Sequence, residues 1–118
     1  MDLEIKRFDD PDEARTFELG RFDLVTVARS ILGRARYEPG WRWSTHVGAA
    51  NDEELCSVEH LGIVVSGRAG VRMRDGRELV LQPGDVFAIP PHHDSWVVGD
   101  EPYVSLHLMG AAEYARAD

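Results

Sequence analysis

Three observations predict an all-β fold. Apolar residues alternate with polar ones along most of the chain, turn-forming dipeptides recur at short intervals, and helical periodicity is almost absent. The N-terminal stretch "MDLEIKRFDDPDEARTF" is acidic and polar, and its "DDPDEAR" (residues 9–15) is expected to form a helical turn before the first strands. "FDLVTVARSILGRARY" is a long β-rich run, interrupted at Gly33. "WRWSTHV" reads as a strand with Trp41 and Trp43 on one face and Arg42 and Ser44 on the other. In "HLGIVVSG", Leu61, Ile63 and Val65 share one side, so His60, Gly62 and Val64 share the other. In "AGVRMRDGRELVLQPGD", Val71 and Met73 alternate with Arg72 and Arg74, and Leu79 and Leu81 resume one face. Asp75-Gly76 between them predicts a two-residue type I′ hairpin, which needs positive φ at both positions. In "PYVSLHLM", Val104, Leu106 and Leu108 oppose Tyr103, Ser105, His107 and Met109. Only "AAEYARAD" looks helical, for about two turns at most. Pro39-Gly40, Ser66-Gly67, Pro83-Gly84, Pro90-Pro91 and Gly99-Asp100 supply the remaining turns. Many short strands at such spacing indicate a sandwich or barrel.

The totals bound the function. At 118 residues the chain fits one domain, with a core large enough to need no disulfide staples. Cys56 is its only cysteine, which excludes an internal disulfide and suits a reducing compartment. With no apolar signal segment and no membrane-length apolar run, the expected location is the cytoplasm, with no membrane partner. The net charge of −8 opposes nucleic-acid binding, and the twelve arginines form no basic cluster.

Two stretches resemble the conserved motifs of the cupins. "GRELVLQPGDVFAIPP" is similar to the second motif, in which a Gly is followed by five residues, a Pro, one residue, a Gly, two residues and a His; Gly84 and Pro90 match. "HLGIVVSGRAGV" is similar to the end of the first motif, with Gly67 as its closing glycine, and "EPGWRWSTHV" to the stretch leading into it. The resemblance covers roughly residues 35 to 109. It implies a double-stranded β-helix, or jelly-roll, cupin barrel. Extra N-terminal strands and a short C-terminal helix are expected around it. Residues 1–34 are then a β extension packing on a barrel of residues 35–118, within one structural domain. The resemblance also implies a homodimer and a small-molecule ligand.

The usual metal ligands of that family are not present residue for residue. Counting back from Gly67, His60 stands at the family's Glu position. Its usual pair of histidines falls on Glu54 and Cys56, with shorter spacing. The motif's second Gly is His92, and its metal His falls on Ser95, two residues beyond His93. The alternative ligand set is His46, Cys56, His60 and His93, with Glu54, Glu59 and Asp94 nearby. Such donors suit a divalent metal ion: zinc, iron, copper or nickel. Each residue also has a plainer reading: a buried Cys, a loop His bonded to backbone, an Asp capping a turn. Cys56 and His60 also form a candidate thiolate–imidazole pair. Trp43, Trp96 and His107 are the candidate ligand-pocket residues. The expected role is a metal-binding barrel that binds or transforms a small organic molecule. Its alternative is a non-catalytic, metal-free sensor barrel, and whether turnover occurs is left open.

Overall fold

Nine strands in two antiparallel sheets form the fold of the computed structural model, which describes residues 2–115. The larger sheet has the order β1-β2-β3-β9-β4-β7, from β1 (Glu13–Phe17), β2 (Gly20–Val27), β3 (Ser30–Tyr37), β9 (Tyr103–Met109), β4 (His60–Ser66) and β7 (Val86–Ile89). The smaller sheet has the order β6-β5-β8, from β6 (Glu78–Leu81), β5 (Arg68–Met73) and β8 (His93–Val98). One hydrophobic core draws on both sheets, with Phe22, Tyr37, Trp41, Val64, Val71, Phe87 and Tyr103 among its members. This is the expected all-β jelly-roll, and the extra N-terminal strands β1 and β2 extend its larger sheet.

The local expectations fared differently. "FDLVTVARSILGRARY" is not one run but a hairpin that turns at Ala28 and Arg29, whose φ angles are 49° and 68°. These are the positive values of a tight hairpin, adopted here without glycine. Gly33 does not interrupt β3; the Phe22 ring lies where its Cβ would be. The Asp75-Gly76 turn is not type I′, because only Gly76 has positive φ. Gly76 N–H donates to Met73 O and Met73 N–H to Arg77 O, which makes a three-residue loop ending in a left-handed glycine.

The predicted strand at "WRWSTHV" becomes a single helical turn, α1 (Trp43–His46). Only Arg42 keeps a β-bridge, to Trp96. The cause is Asp94, whose carboxylate accepts the Ser44 amide at 2.9 Å and the Ser44 hydroxyl at 2.8 Å. A carboxylate receiving a first-turn amide is a helix-capping arrangement supplied from across the fold.

No helical turn forms at residues 9–15. Residues 8–10 make a turn and β1 starts at Glu13, because the Asp12 amide bonds to Leu24 O of β2. At the other end, residues 111–115 form a turn rather than the expected helix. Tyr114 is drawn into the core, and Ala115 takes φ 55°, which helical geometry does not allow. Residues 116–118 lie outside the described residues.

Candidate metal centre

Alternation along β4 and β9 places the histidines. On β4, His60, Gly62 and Val64 are buried, and on β9, Tyr103, Ser105 and His107. Leu61, Ile63, Val65, Val104, Leu106 and Leu108 face outward, Val65 and Leu108 being about half exposed. The faces separate as the sequence predicts, but the polar row is the one inside. Met109 departs from its predicted row and is exposed, because a register irregularity between Leu61 and Gly62 shifts its pairing. Gly62 is required by close approach: a Cβ there would meet the Leu106 carbonyl and the Phe87 ring.

Long-range pairing brings the other donors to His60. Cys56 forms an isolated bridge to His93, with Cys56 N–H donating to His93 O at 2.8 Å and His92 N–H to Cys56 O at 2.7 Å. β4 does not extend back to Cys56, yet the Cys56 thiol lies 3.6 Å from His60 Nε2. Cys56, His60 and His93 offer one donor atom each, all within 4.8 Å of one another, and all three residues are buried. Donors around one tetrahedral zinc, bound at about 2.0–2.3 Å, lie roughly 3.3–3.8 Å apart, so the group would have to draw in from its present separation of up to 4.8 Å to share an ion. His93 Nδ1 lies 2.7 Å from Pro90 O, and donating to that carbonyl leaves Nε2 as a free acceptor. A metal-ligating histidine is usually oriented by such a bond, and a loop histidine without a metal makes the same bond.

The electrostatics keep the histidines neutral. Burial, then the neighbouring His107 and His93, push His60 down to about 2. Burial lowers His107 to about 4 and also lowers His93. Burial raises the Cys56 thiol to about 12. A thiolate–imidazolium pair is therefore disfavoured, which weakens the nucleophilic reading; a bound cation would favour the thiolate and the neutral imidazoles together.

Of the predicted metal ligands, three come together, Cys56, His60 and His93, and the predicted pocket residue His107 packs edge-on against His60 with ring centroids 5.1 Å apart. His46 stands apart in α1, its Nδ1 turned to the Arg42 backbone and its Nε2 3.9 Å from Glu18. Asp94 is occupied with Ser44 and with Arg42 Nη1 at 3.1 Å. His92 is exposed, with φ 74°, a left-handed backbone of the kind that favours glycine. Trp96 is packed between the Arg42 guanidinium, 4.6 Å from its ring, and the close backbone of Gly70.

Two cavities flank the group. An inner one of about 30 Å3, room for roughly one water, is bordered by His60, His93, His107, Ser105 and Tyr37. An open groove of about 560 Å3 is bordered by Trp43, Glu53, Cys56, Glu59 and Glu113. Tyr114 borders both. The sequence reading missed Tyr37 and Tyr114. Tyr114 lay inside a segment read as helix, and Tyr37 ended a strand with no motif to mark it.

No protein-family model and no curated sequence matches the chain. Solved structures match it in fold. A Rhizobium leguminosarum protein of unknown function aligns at a TM-score of 0.64 and 19% identity, over 91% of this chain and 95% of its own. The polyketide cyclase RemF of Streptomyces resistomycificus aligns at 0.64 and 16% identity, over 89% and 77%. A cupin-like protein of Thermotoga maritima aligns at 0.54 and 19% identity, over 90% and 79%. With two facing antiparallel sheets and such neighbours, the chain has the cupin fold.

Proposed function

We propose that Cys56, His60 and His93 hold a divalent metal ion and that the barrel binds or transforms a small organic molecule beside it. The observation that carries this reading is the convergence of three buried donors within 4.8 Å. His60 Nδ1 and His107 Nδ1 are buried polar atoms with no partner among the described residues, a cost that protein interiors generally avoid and that a polar ligand group or water in the inner cavity beside them would relieve. A one-sulfur, two-nitrogen set suits zinc, iron, copper or nickel, with room for an outside ligand. The ion would supply Lewis acidity to an oxygen of that ligand. This chain's own residues do the rest: Pro90 O fixes the His93 ring, and Phe87 and Ile89 form an apolar wall of the inner cavity. His46 is proposed to lie outside the ligand set. Trp43 lines the groove and His107 the inner cavity, so both remain proposed ligand-contact residues.

Metal analysis of the native protein tests this. About one ion per chain is expected, lost in His60→Ala and His93→Ala and retained in His46→Ala. A wild-type protein that stays metal-free after reconstitution overturns it.

We further propose a cytoplasmic homodimer. No helix among the described residues is long and apolar enough to cross a membrane. Val86, 71% exposed, joins Val65, Leu108 and Met109 as an uncovered apolar outer face of the larger sheet, of the kind that marks an interface. Light scattering at micromolar concentration should give twice the chain mass.

A further inference from the structure

The turn at residues 111–115 closes the barrel with one side chain. Tyr114 is 3% exposed. Its ring lies edge-on to Phe22 at 4.8 Å and to His60 at 4.9 Å, and runs nearly parallel to His107 at 5.9 Å. Its hydroxyl shares a 2.5 Å hydrogen bond with that of Tyr37. Around this ring lie the two unpartnered imidazole nitrogens, on side chains at most 5% exposed. Tyr114 is also the wall between the outer groove and the inner cavity.

The turn itself is held from outside. Arg15 Nη1, on edge strand β1, donates to the carbonyls of Ala112 at 2.9 Å and Tyr114 at 2.6 Å, and more weakly to Ala111 at 3.4 Å. The backbone bond within the turn, from Tyr114 N–H to Ala111 O, is long at 3.3 Å. A charged side chain satisfying two or three carbonyls is the main polar tie of this segment to the sheet.

We propose that this turn is a displaceable plug latched by Arg15, and that the Tyr114 phenol occupies the place of a phenol-sized aromatic ligand bearing a hydroxyl group. Displacing the plug joins the groove to the inner cavity. A ligand ring then meets the same Phe22, His60 and His107 faces, and its hydroxyl the same Tyr37 oxygen. This deepens the reading of the barrel as a small-molecule site by naming the ligand class, and it rests on that reading but not on the metal.

The test measures p-cresol and toluene binding by calorimetry to the full chain with chelator present. Loosening the latch raises the fraction of open protein, and apparent affinity rises in proportion. Arg15→Gln is therefore expected to bind p-cresol about tenfold more tightly than wild type, the loss of a charge-assisted tie being worth about that factor. Toluene should bind the same variant more weakly, and Tyr37→Phe should abolish the difference. Labelling of the Cys56 thiol should accelerate by a similar factor, with a urea dependence much shallower than that of global unfolding. Should Arg15→Gln fail to fold, Arg15→Lys keeps the charge but cannot span the carbonyls, and shows the same change on a smaller scale. Equal p-cresol affinity in wild type and variant, no binding in either, or labelling that tracks global unfolding overturns the plug. Toluene binding as tightly as p-cresol overturns the hydroxyl requirement. Because chelator is present throughout, these outcomes are separate from the metal content that tests the proposed function.

Discussion

The two faces of β4 and β9 invert the usual rule. The outward row is Leu61, Ile63, Val65, Val104, Leu106 and Leu108; the inward row is His60, Gly62, Val64, Tyr103, Ser105 and His107. The more apolar row is outside. Space is the reason. The inner row shares a narrow interior with large rings, so Gly62 admits Phe87 and Ser105 lies beside His107, 3.1 Å from its Nε2. The volume these small residues free is taken by imidazoles and phenols, which carry the donor atoms of a site. Hydrophobicity thus marks two faces here without telling which one is buried.

Acid should break the comparison most strongly. His60 and His107 titrate lower in the folded chain than in the unfolded one, where the ordinary value is about 6.5. Above that pH both states are neutral and nothing is lost. Below it the unfolded chain takes up protons that the folded chain refuses, so stability falls as pH falls. The fall from His107 ends near 4, and that from His60 near 2. Between pH 7 and pH 5 each of the two should remove on the order of 2 kcal/mol from metal-stripped protein. Urea titrations at several pH values measure this, and His107→Gln should flatten the slope. An unchanged slope in that variant would mean the imidazole is better solvated than its burial indicates.

A smaller effect is expected from filling the inner row. Gly62→Val pushes a side chain onto the Leu106 carbonyl and the Phe87 ring, with a cost of about 3 kcal/mol. The adjacent Ile63→Val, on the outer face, should cost only about 0.5–1.5 kcal/mol. Urea midpoints compare the two; equal losses would erase the distinction between the rows.

An intermediate case ties β8 to α1. Asp94→Ala removes the acceptor for the Ser44 amide and hydroxyl, and a lost cap costs roughly 1 kcal/mol. Metal content should stay unchanged, since Asp94 lies outside the group of three donors.

The smallest stability change should come from the outer face. Leu108→Glu replaces a half-exposed side chain and should alter monomer stability by about 0.5 kcal/mol or less. Light scattering should nevertheless show half the wild-type mass. A dimer that survives this change and Val86→Asp would place the interface elsewhere.

Much of the candidate site was legible before any coordinates. The count back from Gly67 marked His60, alternation put it on the opposite face from Leu61, and the same logic set His107 against Leu106. Cys56 was harder to read, since the parity argument assumed a strand that begins only at His60. It joins the site through its bridge to His93, a residue 37 positions away, and local pattern carries no information about such pairing. Trp43 left its predicted strand because Asp94, 50 residues beyond Ser44, captures the Ser44 amide.

By itself the sequence determined the all-β class and the two faces of β4 and of most of β9, because period-two alternation and turn chemistry are local properties of the chain; the barrel type came from the resemblance of two stretches to cupin motifs. The tertiary structure decided which face is inside, which donors converge and that Tyr114 fills the barrel. Those depend on register, on opposing sheets and on the volume left between them, and none of these exists until the strands have paired.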